Sequence, residues 1–124
     1  MAPHLSSLMA KAWRTLRSAR LILGSGDPES AMSRTDYAAY YAARASLLSE
    51  GITPRTHAGT HEQFRDHFVL TGKVDEAVAR VLPRAYRLRQ AADYEVASEQ
   101  SEESVSWYAD EVELFIRAVE HVLD

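Results

Sequence analysis

No cysteine occurs among the 124 residues, which excludes disulfides, thiolate zinc sites and cysteine nucleophiles outright. The same lack fits a cytoplasmic protein. Long apolar runs are missing too, so nothing approaches the ~20 residues that span a bilayer, and no membrane contact is expected. Lys11, Arg14, Arg17 and Arg20 interrupt the apolar positions near the N-terminus, unlike a secretory signal. Alternating apolar and polar runs between turn residues are absent, and with them any strand signal. Gly24 and Gly26 are too few for a phosphate-cradling loop and follow no strand. No Ser-His-Asp order stands out, and there is no internal repeat or low-complexity tract.

What is present has the composition of a globular chain, with 46% hydrophobic and 26% charged residues. The net charge is -4, whereas a general nucleic-acid binder is basic. The cations are unevenly placed. Arg80, Arg84, Arg87 and Arg89 crowd one stretch, and acids from Glu95 to Glu113 follow it. Polyanion binding is therefore expected through one face only.

Helical periodicity accounts for nearly the whole chain. Leu5, Leu8, Met9, Ala12, Leu16, Ala19 and Leu23 make one stripe, stopped by Gly24. Asp27 and Pro28 read as the cap and first residue of a second helix reaching about Glu50. There Tyr37, Tyr40 and Tyr41 adjoin the small ridge Ala38, Ala42 and Ala45. A third helix is expected over about His57–Leu70, with Phe64 and Phe68 inward and a capping box from Thr60 and Gln63 as an alternative start. A fourth spans about Asp75–Ala97, kinked or split by Pro83. A fifth, capped by Ser98 or Ser101, runs to the C-terminus through Val105, Val112, Phe115 and Val119. Short connections make neighbours antiparallel, giving an all-α, up-and-down bundle of about five helices.

Four clusters can carry chemistry. Arg89 and Asp93 share a helical face, as a surface ion pair or as an arginine held by a carboxylate and aimed at phosphate. His57 and His61 stand four apart, which is metal-ligand spacing, but no third ligand is evident and no metal is expected. His57 also reads as an acid or base. Arg34, Tyr37, Tyr41 and Arg44 line one side of helix two, as a packed face or as a phosphate- or partner-facing groove. Arg80, Arg84 and Arg87 form a basic stripe that suits RNA phosphate, the acidic last helix of a partner, or solvent.

Several segments appear in a telling order. They are Ser33-Arg34-Thr35-Asp36-Tyr37-Ala38-Ala39-Tyr40-Tyr41-Ala42-Ala43-Arg44-Ala45, Gly51-Ile52, Arg55-Thr56-His57-Ala58-Gly59, Phe64 to Gly72, and Arg89 to Tyr94. This order resembles the HEPN superfamily, in its small stand-alone bacterial and archaeal branch. A Tyr-Tyr-Ala helix, a Thr-His-Ser/Ala-Gly junction and an Arg-x-x-x-Asp-Tyr helix follow one another there.

The resemblance covers nearly the whole chain and implies one HEPN-like helical domain over residues 1–124, without a cofactor. It implies a homodimer, and a nucleotidyltransferase as protein partner in a toxin–antitoxin pair. It also implies metal-independent RNase chemistry from an arginine and a histidine with four to six residues between them. The arginine carries over to Arg89. The histidine positions hold Tyr94, Glu95 and Val96, which leaves its role to Asp93 with Tyr94, or to His57 from the neighbouring helix. Arg44, Arg84 and Arg87 are the expected contacts to RNA or nucleotide phosphate. Tyr94 stands near the place where some relatives accept a nucleotide. A nuclease and a non-catalytic dimerisation or nucleotide-binding module both remain open.

Overall fold

The computed structural model describes residues 1–94 and 100–124. Among these residues six α-helices follow one another: α1 (Pro3–Gly24), α2 (Pro28–Leu48), α3 (His57–Phe64), α4 (Glu76–Ala79), α5 (Val81–Tyr94) and α6 (Glu102–Leu123). A π-helical turn, Arg65–Val69, continues α3. No strand occurs among the described residues, and the bundle is all-α. No helix among them is long and apolar enough to cross a membrane.

The boundaries follow local chemistry. Asp27 caps α2 by accepting from the Ser30 amide at 3.2 Å, and Pro28 takes the first position. The Ser30 hydrogen bonds hold the Asp27 carboxyl below the usual range. Gly51 ends the turn after α2 at φ +75°, a conformation that other residues rarely adopt. Thr56, not Thr60, caps α3, with Oγ1 accepting from the Gly59 amide at 2.9 Å. Thr60 is instead buried and donates to the Thr56 carbonyl at 2.8 Å. Ser101 caps α6, accepting from the Ser104 amide at 3.0 Å; Ser98 lies outside the described residues.

Two expected helices are more broken than their periodicity suggests. The third becomes α3 plus the π turn, whose closing bond runs from the Leu70 amide to the Arg65 carbonyl at 2.9 Å. The fourth divides at Arg80 into α4 and α5. Pro83 is the physical cause. It has no N–H to give Ala79, so it is tolerated only in a first helical turn, and it is the third residue of α5. The expected end of this helix near Ala97 lies outside the described residues.

The α2 helix is the central element and packs against α1, α3, α5 and α6. Its alanines explain this. Ala38, Ala39, Ala42, Ala43 and Ala45 are fully buried, and so small a surface lets several helices approach at once. Antiparallel order follows from the cross-links. Trp13 Nε1 donates to Glu120 at 2.9 Å, while Arg20, two turns on, reaches Asp110 and Glu113. Likewise Ser33 meets Asp93 and Asp36 meets Arg89. The large core side chains are Phe64, Phe68, Phe115, Met32, Leu47, Leu82 and Ile116. Each such group contributes about 1.5–3 kcal/mol on burial.

Candidate functional site

The polar centre of the molecule lies where α2 faces α5. Asp36 stands on α2 in register with Met32, Ala39 and Ala43, all inside. Its side chain is 0% exposed. Arg89 of α5 meets it: Nε donates to Asp36 Oδ2 at 2.8 Å, while Nη1 donates to Asp93 Oδ2 at 2.8 Å. Ser33 Oγ donates to the other Asp93 oxygen at 3.1 Å. The expected pair Arg89–Asp93 is therefore real but is half of a larger cluster. The Arg89 side chain is only 13% exposed, which rules out an idle surface ion pair.

The second Asp36 oxygen, Oδ1, is buried without a hydrogen-bond partner. Burial pushes this carboxyl up to about 6, against the opposing pull of Arg89. Burial alone would lower the Arg89 guanidinium. Its bonds to Asp36 and Asp93 and the nearby Tyr37 outweigh that, and it is held above its usual value.

An aromatic column adjoins this cluster. His57, the first residue of α3, lies between Tyr40 of α2 and Tyr86 of α5. Its ring centroid is 4.0 Å from Tyr40 at an interplanar angle of 6°, and 4.5 Å from Tyr86 at 25°. Arg89 lies over Tyr86 and Tyr37, 5.1 and 5.2 Å from the centroids. His57 and Arg89 thus share Tyr86 and Tyr37 as neighbours. Burial and the Arg89 charge both lower the His57 pKa, so the imidazole is neutral at pH 7 and able to accept a proton. Its Nδ1 is buried without a partner. The junction that delivers His57 is tight, since a Cβ on Gly59 would come within 2.9 Å of the capping Thr56 Oγ1.

His61, one turn on, meets His57 and Tyr86 edge-on. Its pKa is lowered to about 4 by burial, then by His57 and Arg87. The two histidine rings stand 6.1 Å apart at 83°. Among the described residues no group of three or more His, Asp or Glu could hold a metal ion.

The remaining expected residues are spread around this centre. Arg44 lies over Tyr40 at 5.7 Å, at the far end of the aromatic column from Arg89. Arg87 is exposed and near enough to His61 to act on it. Arg84 is elsewhere, in a notch with Arg80, Trp107, Tyr108 and Glu111. Tyr94 ends α5 and is 81% exposed. Glu95 and Val96, two of the expected histidine positions, lie outside the described residues.

Sequence reasoning passed over Asp36, Ser33 and Tyr86. Asp36 had a signal, because a carboxylate in register with Met32, Ala39 and Ala43 needs a buried cation. Ser33 and Tyr86 had none, since their roles depend on how α2 and α5 face each other.

Comparison with known proteins agrees with this architecture. Residues 5–122 match the HEPN domain family, and the chain belongs to that family. A protein of Methanocaldococcus jannaschii named "Putative toxin" is 29% identical over 122 residues, 97% of this chain and 89% of the relative. A UPF0332 protein of Thermotoga maritima is 32% identical over 114 residues, 92% of this chain and 86% of the relative. Another UPF0332 protein, of Gloeobacter violaceus, is 35% identical over 94 residues, 76% of this chain and 75% of the relative.

Proposed function

We propose that this chain is a toxin-like HEPN protein of the cytoplasm that binds RNA phosphate at Arg89 and cuts RNA without a metal. The observation that carries the reading is the Arg89 guanidinium, anchored at Nε by a buried carboxylate and sharing Tyr37 and Tyr86 with a neutral His57. Two M. jannaschii relatives carry toxin names, which supports the biological context. In the step, His57 takes the proton of a ribose 2′-hydroxyl and that oxygen attacks the adjacent phosphorus. The 5′-oxygen leaves with a proton from water, and Arg89 offsets the charge gathering on the phosphate. Asp93 holds Arg89 Nη1 before the phosphate arrives. Arg44 and Arg87 supply further phosphate contacts along the strand, and Arg84 extends them toward α6. The active unit is a homodimer, and a nucleotidyltransferase-type partner restrains it by modifying the exposed Tyr94.

Expression of the wild type should arrest growth, and purified protein should cut RNA in EDTA. Arg89→Ala should lower cleavage by about 10²–10³-fold, the cost of losing one donor to a developing anion. A harmless wild type that leaves RNA intact sinks the nuclease. After co-expression with a nucleotidyltransferase encoded beside it, mass spectrometry should find the Tyr94 peptide heavier by one nucleotidyl group. An unmodified peptide removes Tyr94 from the scheme.

A second reading has its own support. Two donors of Arg89 are already engaged by carboxylates, and His57 is stacked between two rings. Such an arrangement suits a non-catalytic module that dimerises and binds a nucleotide or a partner. Tight nucleotide binding by a protein that cuts nothing selects this reading.

A further inference from the structure

Asp93 holds its two donors in an unusual way. Each of its oxygens sits on a donor from a different helix: Oδ1 on the Ser33 hydroxyl at 3.1 Å and Oδ2 on Arg89 Nη1 at 2.8 Å. The other carboxylate of the cluster does a separate job. Asp36 is fully buried and grips Nε, so the guanidinium keeps its aim whether or not Asp93 stays. The Asp93 side chain is 38% exposed and can turn into water without stranding a buried charge. Nη2 is engaged by no carboxylate among the described residues. Because Arg89 lies over Tyr37 and Tyr86, a ligand must approach its edge. That edge suits an anion with several oxygens.

We propose that Asp93 is the displaceable resident of a two-donor oxyanion site, built from Arg89 Nη1 and the Ser33 hydroxyl, that takes a phosphate or phosphodiester in the carboxylate's place. Asp36 is the positioning residue of this site. A phosphate oxygen replaces Asp93 Oδ2 on Nη1, a second replaces Oδ1 on Ser33, and Nη2 gains an acceptor. The exchange selects for charge and for oxygen number. A phosphate reproduces the carboxylate's pair of oxygens on the two donors, and a neutral ligand cannot offset the carboxylate's departure. The proposal deepens the Arg89 reading above by naming what already fills the site.

Calorimetric titration of the full chain with inorganic phosphate at pH 7.5 tests it. Asp93→Asn should bind phosphate about tenfold more tightly than wild type, the effect of removing one screened competing charge. Adding Ser33→Ala or Arg89→Ala to that variant should abolish the gain. Glu29→Gln removes a charge one turn of α2 before Ser33 and should change little. Equal tightening by Glu29→Gln shows bulk charge rather than a site and overturns the proposal. So does an unchanged or weaker Asp93→Asn. If Asp93→Asn fails to fold, NMR of the wild type decides. Phosphate should shift the Arg89 guanidinium and Asp93 carboxyl signals together, and a motionless Asp93 is fatal. Because the readout is binding, a protein that cuts no RNA yet shows the tenfold gain sinks only the nuclease. A nuclease without the gain sinks only the resident carboxylate.

Discussion

Replacing Asp36 by alanine is expected to remove about 3 kcal/mol of folding free energy, since it leaves the buried Nε of a charged donor without an acceptor. Arg89, with a side chain 13% exposed, would lose the acceptor of its Nε and keep only the peripheral Asp93. Urea denaturation at pH 7 measures the change through the midpoint at constant slope. Asp36→Asn should cost far less, because an amide oxygen still accepts from Nε and the site no longer holds a desolvated charge. Equal losses in the two variants would mean that the position needs charge rather than an acceptor.

The same pair of variants has a pH signature. The folded Asp36 titrates near 6 instead of 3.8, so the folded state holds a proton that the unfolded state releases. Its contribution to stability is complete below about 4 and is lost as pH rises through 6. His61 acts in the opposite sense. Its pKa falls from 6.5 to about 4, so the unfolded state takes up the proton first and stability grows as pH rises from 4 to 6.5. The lowered His57 adds in the same direction. In wild type the opposing slopes offset each other. Asp36→Asn should therefore show a melting temperature that climbs between pH 4 and 6.5, more steeply than wild type. An Asp36→Asn profile no steeper than that of wild type would contradict the buried, raised carboxyl, and a flat one would contradict the lowered histidines.

The second large effect is expected at Phe64. Its ring is 1% exposed and lies 5.2 Å from both Phe68 and Phe115. Phe64→Ala should cost about 3–5 kcal/mol, from lost transfer energy plus the void. A groove of about 350 Å³ borders the site, lined by His61, Leu82 and Pro83. Partial filling of the void through this groove favours the lower end of that range. Because α3 carries His57, the variant should also loosen the aromatic column. Hydrogen exchange at the α3 amides should accelerate more than at α1. Uniform acceleration across the chain would mean that the loss is global and α3 has no looser fit of its own.

The bundle was legible in the sequence because its information is local. The stripe Val105, Ala109, Val112, Phe115 and Val119 buries one side of α6 as its spacing requires, and the Asp27–Pro28 start of α2 is written in two residues. The break between α4 and α5 was legible as well, since Pro83 has no N–H and must kink or split a helix. The π turn was harder, because it depends on how backbone carbonyls are shared within one turn, which apolar spacing does not report. The site was half legible for a similar reason. Arg89 and Asp93 are four apart and announce themselves. Asp36 is 53 residues away from Arg89, and only the facing of α2 and α5 joins them. His57 stood out as a residue, but its place between Tyr40 and Tyr86 depends on three helices meeting.

The pairing of α1 with α6 has a kinetic consequence. The Trp13–Glu120 bond closes a separation of 107 residues, and Arg20 reaches 90 and 93 residues ahead to Asp110 and Glu113. The α2–α5 cluster can close once α5 has been synthesised. The flank of α1 that α6 covers must wait on the ribosome until almost all of this sequence is made. Most contacts in a helical bundle are local and form quickly, so the slow step should be this last long-range docking, against the entropy of closing so large a loop.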